Sequence, residues 1–295
     1  MTPNRRSFLT AGAAATAVGL HSPLSAAEPV AKPGKTRNTK FAVNLEMWWR
    51  KERNFLKKFE YAAALGFDAV ELWPWENKDI HGVADTAERL GLKIAQFSAW
   101  GFRPGMNDPK NHSLLVEKIE KSCEVAKKWR CSLMCVVGGD DIPGMSQAKM
   151  HENIIEGLRK VAPIAEKNNV TLMLEAMNIR VDHKGHCLYG SAPTLKIIKA
   201  VGSKNVKILW DLYHMHITEG DLCGHLREGF AADAIAYLQL ADHPGRNEPG
   251  TGEINYSRVL KELKALKYTG YVGLELVPKT TDEAAAQAVY AADKW

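Results

Sequence analysis

No Cys-x-x-Cys pair occurs in the chain, and its five cysteines (Cys123, Cys131, Cys135, Cys187 and Cys223) are an odd number. That argues against a zinc knuckle, a dithiol redox motif and a disulfide framework. Cys131 and Cys135 flank a predicted strand start and read as small core residues. Lys/Arg runs interleaved with aromatics are also missing. The net charge is +5, two of those charges coming from Arg5 and Arg6, so no nucleic-acid partner is expected. The apolar stretches are too short to span a bilayer, and no stable membrane anchor is expected. There is no internal repeat. No glycine-rich phosphate loop follows the first apolar strand; Asn44-Leu45-Glu46-Met47-Trp48-Trp49 stands there instead. An open doubly wound sheet, the main rival architecture, normally begins with such a loop.

What is present begins with a targeting signal. Asn4-Arg5-Arg6-Ser7-Phe8-Leu9-Thr10 precedes a small, uncharged stretch from Ala11 to Leu20, and Ser25-Ala26-Ala27 offers a small-residue cleavage site. Residues 1–27 therefore read as a signal peptide whose paired arginines are of the twin-arginine type. The expected destination is the periplasm, by a route that carries folded proteins. Residues 28–39, rich in lysine and proline, read as a linker.

From residue 40 to 295 short apolar runs alternate with amphipathic ones. The spacing predicts strands at 41–48, 69–74, 93–100, 132–138, 170–178, 206–214, 235–242 and 271–278. Helices are predicted at 53–65, 79–90, 113–129, 147–167, 192–201, 221–230, 256–266 and 282–294. This α/β alternation is that of a single (β/α)8 TIM barrel, a domain of about 250 residues.

Active-site residues of such a barrel sit at the C-terminal ends of its strands. Four polar residues there stand between apolar or aromatic neighbours: Glu175, Asp211, Gln239 and Glu275. Strand alternation points each to the face opposite its neighbours, into the barrel mouth. Alone, each would read as a buried polar residue tying strand ends together. On four consecutive strands they read as a site. Three carboxylates brought together repel unless one is protonated or a cation lies between them. An all-oxygen set favours a hard divalent ion, Mg2+ or Mn2+. Glu71, between Val70 and Leu72, is a candidate to join them or to form a salt bridge. The turn-rich stretch His243–Glu253 supplies Arg246, suited to a substrate carboxylate or enediolate oxygen, and Glu248. His214 reads as a substrate contact that titrates near neutrality. Trp48, Trp49, Trp73, Trp75, Trp100 and Phe102 read as a wall of the pocket, with Trp100 a candidate substrate contact, or equally as barrel-top packing.

Three stretches carry a resemblance. Trp210-Asp211-Leu212-Tyr213-His214-Met215, then Gln239 through Tyr256 with its Pro-Gly-Arg-Asn-Glu-Pro-Gly-Thr-Gly-Glu-Ile core, then Gly270-Tyr271-Val272-Gly273-Leu274-Glu275, resemble hydroxypyruvate isomerases. More broadly they resemble the xylose-isomerase-like barrels that include ketose 3-epimerases. Tyr237 stands where that branch often has histidine. The resemblance implies that Glu175, Asp211, Gln239 and Glu275 hold a divalent metal and that Glu175 and Glu275 are the acid/base pair. It implies an isomerase acting through an enediolate on a small hydroxy-carbonyl or sugar substrate, converting hydroxypyruvate to tartronate semialdehyde. A periplasmic ketose 3-epimerase or other sugar isomerase is the alternative, and a metal- or sugar-binding barrel is the non-enzymatic one. Isomerases of this fold commonly pair, so a homo-oligomer is in view.

Overall fold

A computed structural model describes residues 30–295; the predicted signal peptide and the first two linker residues lie outside the described residues. The strands are β1 (Lys40–Asn44), β2 (Ala69–Leu72), β3 (Lys93–Trp100), β4 (Leu133–Val137), β5 (Thr171–Glu175), β6 (Val206–Asp211), β7 (Ile235–Gln239) and β8 (Tyr271–Leu274). They are largely buried on both faces, as parallel strands covered by helices must be. They pair in sequence order, and Phe41 of β1 opposite Val272 of β8 closes the barrel. The helices are α1 (Phe55–Ala64), α2 (Ile80–Leu90), α3 (His112–Trp129), α4 (Gln147–Lys167), α5 (Ser191–Val201), α6 (Leu212–Thr218), α7 (Leu222–Ala231), α8 (Tyr256–Ala265) and α9 (Asp282–Ala292).

Local chemistry sets their bounds. Asp79 caps α2 by accepting the Gly82 N–H, and Gly91 ends it in the left-handed conformation. Ser146 caps α4 at Lys149, and the helical period then buries Ile154, Leu158, Val161 and Ala165. Such a side-chain cap contributes about 1 kcal/mol.

Several predicted strands run past their true C-terminal ends. The run 206–214 is not one strand: β6 ends at Asp211 and α6 starts at Leu212. Asp211 accepts the Tyr213 N–H at 2.9 Å and so caps the new helix. The runs predicted to 178, 242 and 278 likewise end as strands at Glu175, Gln239 and Leu274. Their apolar surplus packs in loops at the barrel mouth.

The barrel interior has its own apolar cluster of Cys135, Val137, Met173, Met177, Leu209 and Tyr237. Residues two positions beyond Met173, Leu209 and Tyr237 are Glu175, Asp211 and Gln239, so strand alternation turns these three inward at the mouth. All five cysteines are free. No helix among the described residues is long and apolar enough to cross a membrane. The part of the predicted linker from Val30 onward is fastened to the barrel. Gln287 binds both the N–H and the C=O of Val30, and the buried Asp293 carboxylate accepts the Asn38 and Thr39 N–H groups.

Candidate active site

The last residues of β5, β6 and β7 are Glu175, Asp211 and Gln239, and Glu275 directly follows β8. Glu175, Asp211, His214 and Glu275 are all buried, and each offers a ligand atom within 4.8 Å of the others. Removing carboxylates from water favours their neutral forms. Burial pushes Asp211 up to about 7, a shift that Arg246 opposes and Glu275 increases. Burial, then Glu275 and Asp211, raises Glu175 well above its ordinary range. Glu275 differs in its contacts. It accepts the Trp73 indole N–H at 2.8 Å and pairs with the Arg246 guanidinium.

Arg246 is the cation among the carboxylates. Its Nη2 lies 3.4 Å from Asp211 Oδ2, its Nε donates to the Glu275 carbonyl at 3.3 Å, and its guanidinium rests over the Tyr213 ring at 5.0 Å. Burial works against its charge, but Glu275, Asp211 and Glu175 outweigh that and hold it protonated. The loop that delivers it is pinned by Asp242. That carboxylate accepts the N–H groups of His243 and Ile254 on one oxygen and of Gly250 and Gly252 on the other. A Cβ at Gly252 would lie 2.2 Å from the His243 carbonyl oxygen, so the loop closes this tightly only with glycine there.

The tautomer of His214 follows from its neighbours. Asn178 Oδ1 accepts the N–H groups of Val181 and Asp182, which fixes its amide orientation. Its Nδ2 therefore donates, to Asp182 and at 2.7 Å to His214 Nδ1. Burial, then the charge of Arg246, lowers the His214 pKa well below its ordinary value. The neutral ring thus carries its proton on Nε2, which faces Asp211 Oδ2 at 3.4 Å and Glu175 Oε1 at 4.0 Å. In that state His214 turns a proton towards the cluster and offers it no lone pair.

Glu71 lies beneath. Asn44 Nδ2 and Gln239 Nε2 donate to its Oε1, and the Tyr237 hydroxyl and Gln96 Nε2 to its Oε2. No basic side chain among the described residues pairs with it, so the salt bridge considered from sequence is not formed among them. Burial, then Glu275, pushes its carboxyl up to about 7 against the pull of Asn44, Gln239 and Tyr237. A Cβ at residue 273 would sit 2.1 Å from Glu71 Oε2, so glycine there makes room for the carboxylate. With its N–H group held by Glu71, Gln239 turns its Oε1 away. That oxygen is buried and has no hydrogen-bond partner among the described residues.

These groups open into a cleft of about 470 Å³. Its lining includes Glu175, His214, Gln239, Arg246, Glu275 and Trp100. Glu71 and Glu248, both candidate site residues from sequence, do not line it. Glu71 serves the network just described, and Glu248 accepts the Lys279 N–H at 2.9 Å, joining two loops. Of the six aromatics expected to wall the pocket, Trp73, Trp100 and Phe102 do so. Trp48 and Trp75 are spent on packing, their indole N–H groups bonded to the Leu274 carbonyl and the Ser122 hydroxyl. Gln96, Ser98 and Cys135 also line the cleft, and sequence reasoning missed them. The signal was available: Gln96, Ser98 and Trp100 alternate along one predicted strand.

The family profile described as xylose isomerase-like TIM barrel matches residues 59–293. A hydroxypyruvate isomerase of Escherichia coli is 44% identical over 116 residues, a segment covering 39% of this chain and 44% of that protein. A 2-oxo-tetronate isomerase of Cupriavidus necator is 33% identical over 250 residues, covering 81% of this chain and 93% of that protein. A crystal structure titled AP endonuclease, family 2, from Brucella melitensis superposes with a TM-score of 0.78 at 25% identity, covering 84% of this chain and 96% of that one.

Proposed function

The chain belongs to the xylose isomerase-like TIM barrel family and is an isomerase, and we propose that it exchanges the carbonyl and the neighbouring hydroxyl of a 2-keto-3-hydroxy acid of the hydroxypyruvate class. The proposed route is an enediolate, with Glu175 and Glu275 as the proton-transfer pair. A divalent ion, Mg2+ or Mn2+, would be held by Glu175, Asp211, Gln239 and Glu275. We also propose that the protein works in the periplasm, on the strength of the Arg5-Arg6 signal.

The observation that carries this reading is the buried convergence of Glu175, Asp211 and Glu275 beside the unpartnered Gln239 Oε1. The donor set fits such an ion. A buried amide oxygen without a donor is costly, and a cation satisfies it. Three carboxylates and one guanidinium leave two negative charges, the complement of one divalent ion. The oxygens are hard ligands, and His214 presents a proton. When bound, the ion would supply Lewis acidity towards the substrate oxygens.

The chain's own groups do the rest. Arg246 and the His214 Nε2–H are donors beside the carboxylates, placed to hold an oxygen that gains negative charge. One glutamate takes the proton from the hydroxyl-bearing carbon, and a proton returns to the carbon that was the carbonyl. The surroundings of the pair differ, as such an exchange requires: Cys135 Sγ lies 3.4 Å from Glu175, while Glu275 holds Trp73 and Arg246. Trp73, Trp100 and Phe102 shield the intermediate from water. For hydroxypyruvate the product is tartronate semialdehyde.

A nuclease reading, raised by the Brucella structure's name, lacks support here. Cations that bind phosphates should be available at the surface. Those lining this cleft are engaged: Arg246 with Glu275, Arg103 with Asp140, and Lys118 with Glu76.

The test is turnover by purified protein with Mn2+ on hydroxypyruvate, 2-oxo-tetronate and free ketoses. Isomerisation of a keto acid is the expected result. Epimerisation of ketoses alone, or metal binding with no turnover, would overturn the reading.

The ion can be tested apart from turnover through Glu71. In Glu71→Gln an amide replaces a carboxylate that only accepts, so one of its four donors loses its acceptor and Gln239 is free to flip. The expected result is a 10–100-fold weaker Mn2+ affinity by calorimetry. An affinity within twofold of wild type would show that Glu71 does not hold Gln239 in place.

A further inference from the structure

Exchanging a carbonyl with the neighbouring hydroxyl moves two protons, one between the carbons and one between the oxygens. The glutamate pair accounts for the first. The second needs a group at the cleft that takes a proton from one oxygen and gives it to the other. Epimerisation at a single carbon has no such need, because each oxygen keeps its own proton. Most titratable side chains lining the cleft are already committed. The carboxylates hold Arg246 protonated. Burial, then Glu175, raises the Cys135 thiol well above its ordinary range, so it keeps its proton. Arg103 and Lys118 pair with Asp140 and Glu76. His214 spends both nitrogens: Nδ1 meets the Asn178 amide at 2.7 Å, and Nε2 faces Asp211 at 3.4 Å. A proton added at Nδ1 would clash with the Asn178 donor.

His183 differs. It is half-buried and lines the same cleft. Its side chain makes no hydrogen bond among the described residues, and its nitrogens are not sealed from solvent as both nitrogens of His186 are. Burial, then the charge of Arg246, lowers its pKa, so near neutrality the ring offers one N–H and one lone pair. Its place is fixed on two sides. The ring stacks on Phe102 with centroids 4.9 Å apart and 17° between planes, and it meets the His214 ring edge-on at 5.2 Å. Its backbone N–H donates to the Asn178 carbonyl at 3.1 Å, and its carbonyl accepts the His186 N–H at 3.0 Å. Asn178 thus sets the tautomer of one histidine with its side chain and anchors the turn that carries the other with its backbone. A free imidazole is thereby held one ring away from the histidine that faces Asp211 and Glu175.

We propose that His183 is a further catalytic residue, the relay that carries a proton from the substrate hydroxyl oxygen to the former carbonyl oxygen. Its free ring nitrogen takes the hydroxyl proton. A glutamate takes the C–H proton, the hydroxyl carbon becomes the new carbonyl, and a proton returns to the other carbon. The ring then gives its proton to the oxygen that was the carbonyl. No atom or electron pair is gained or lost, and the ring ends neutral as it began. Arg246 serves this cycle by making the proton on the ring readily returned. The relay rests on the keto-acid isomerase reading above and adds a residue to it.

The experiment compares His183→Gln and His183→Ala with wild type, as full protein saturated with Mn2+, on whichever keto acid wild type isomerises. Thermal melts confirm that both variants fold. Glutamine can hydrogen-bond a substrate oxygen but cannot take up its proton. His183→Gln should therefore lower kcat about 10²–10⁴-fold, the range for a positioned acid or base, while KM stays within about threefold of wild type. Added imidazole should restore His183→Ala by at least about tenfold, in step with its concentration, as a mobile base replacing the missing one. A kcat for His183→Gln close to wild type would overturn the relay and leave the isomerase standing. A loss confined to KM, or one in His183→Ala that imidazole leaves unchanged, would assign the ring to binding or packing and overturn the relay as well. No keto-acid turnover by wild type would remove the isomerase reading itself, and epimerisation of ketoses alone would leave the relay no proton to move.

Discussion

Glu275→Gln and Glu175→Gln should each lower kcat by about 10²–10⁴-fold at saturating Mn2+, the usual contribution of a positioned acid or base. Glutamine keeps the shape of the side chain and an oxygen for the ion, but it cannot accept a proton. At Glu275 the exchange also removes the charge that pairs with Arg246 and the Trp73 acceptor. Part of the loss there should appear as weaker ion binding, so the variants must be compared at metal saturation. At Glu175 the local neighbour is a thiol at 3.4 Å, and the loss should fall more purely on kcat. Steady-state kinetics on whichever keto acid wild type accepts decides the matter. Wild-type rates in both variants would sink the glutamate-pair mechanism.

The second large effect is expected on removing the ion. Protein stripped with a chelator should lose activity and regain it with Mn2+ or Mg2+; full activity at verified zero metal content would exclude the ion. Affinity and melting temperature give independent readings. An ion at a hundred times its Kd stabilises by about 2.7 kcal/mol. Affinity should also follow pH. Asp211 is raised to about 7, so below that pH the ion must displace a proton, and above it the carboxylate is already charged. Between pH 8 and pH 6 the affinity should therefore fall about tenfold for each such proton. Stability of the metal-free protein runs the other way. Glu71 rises from 4.5 to about 7 on folding, so the folded state holds a proton that the unfolded state has released. Its contribution is present below about pH 4.5 and is lost as the pH rises through 7.

The barrel was legible in sequence because its strands lie in apolar runs between turn residues and the eight helices predicted follow the 3.6 period. Four acidic or amide residues at strand ends stood out for the same reason: each interrupts a run that is otherwise core. The failures share a cause as well. Glu71 interrupts its run as Glu175 does, and only the register across β1, β2, β3 and β7 reveals four donors converging on one carboxylate and not on the other. Glu248 sits in a polar loop, and local sequence does not tell a carboxylate facing a cleft from one bonded to a neighbouring loop's N–H. The helix from Leu212 to Thr218 was hidden because a short apolar run after a strand reads as more strand until its cap at Asp211 is seen. Gln96 and Ser98 lie within β3 and not at its end, so their signal is the alternation of the strand alone.

The pairing of β1 with β8, and the hold of Asp293 on Asn38 and Thr39, bear on when the molecule is finished. Both join its earliest described segment to its last. The ring closes only after β8 has left the ribosome, and contacts so distant in sequence form late and slowly. Until then the edges of β1 and β8 are open to pairing with other chains. If the protein takes the proposed twin-arginine route, which accepts folded cargo, export acts as a checkpoint on that closure. Truncation of even the last few residues, far from the chemistry, should then reduce the amount of protein delivered across the membrane.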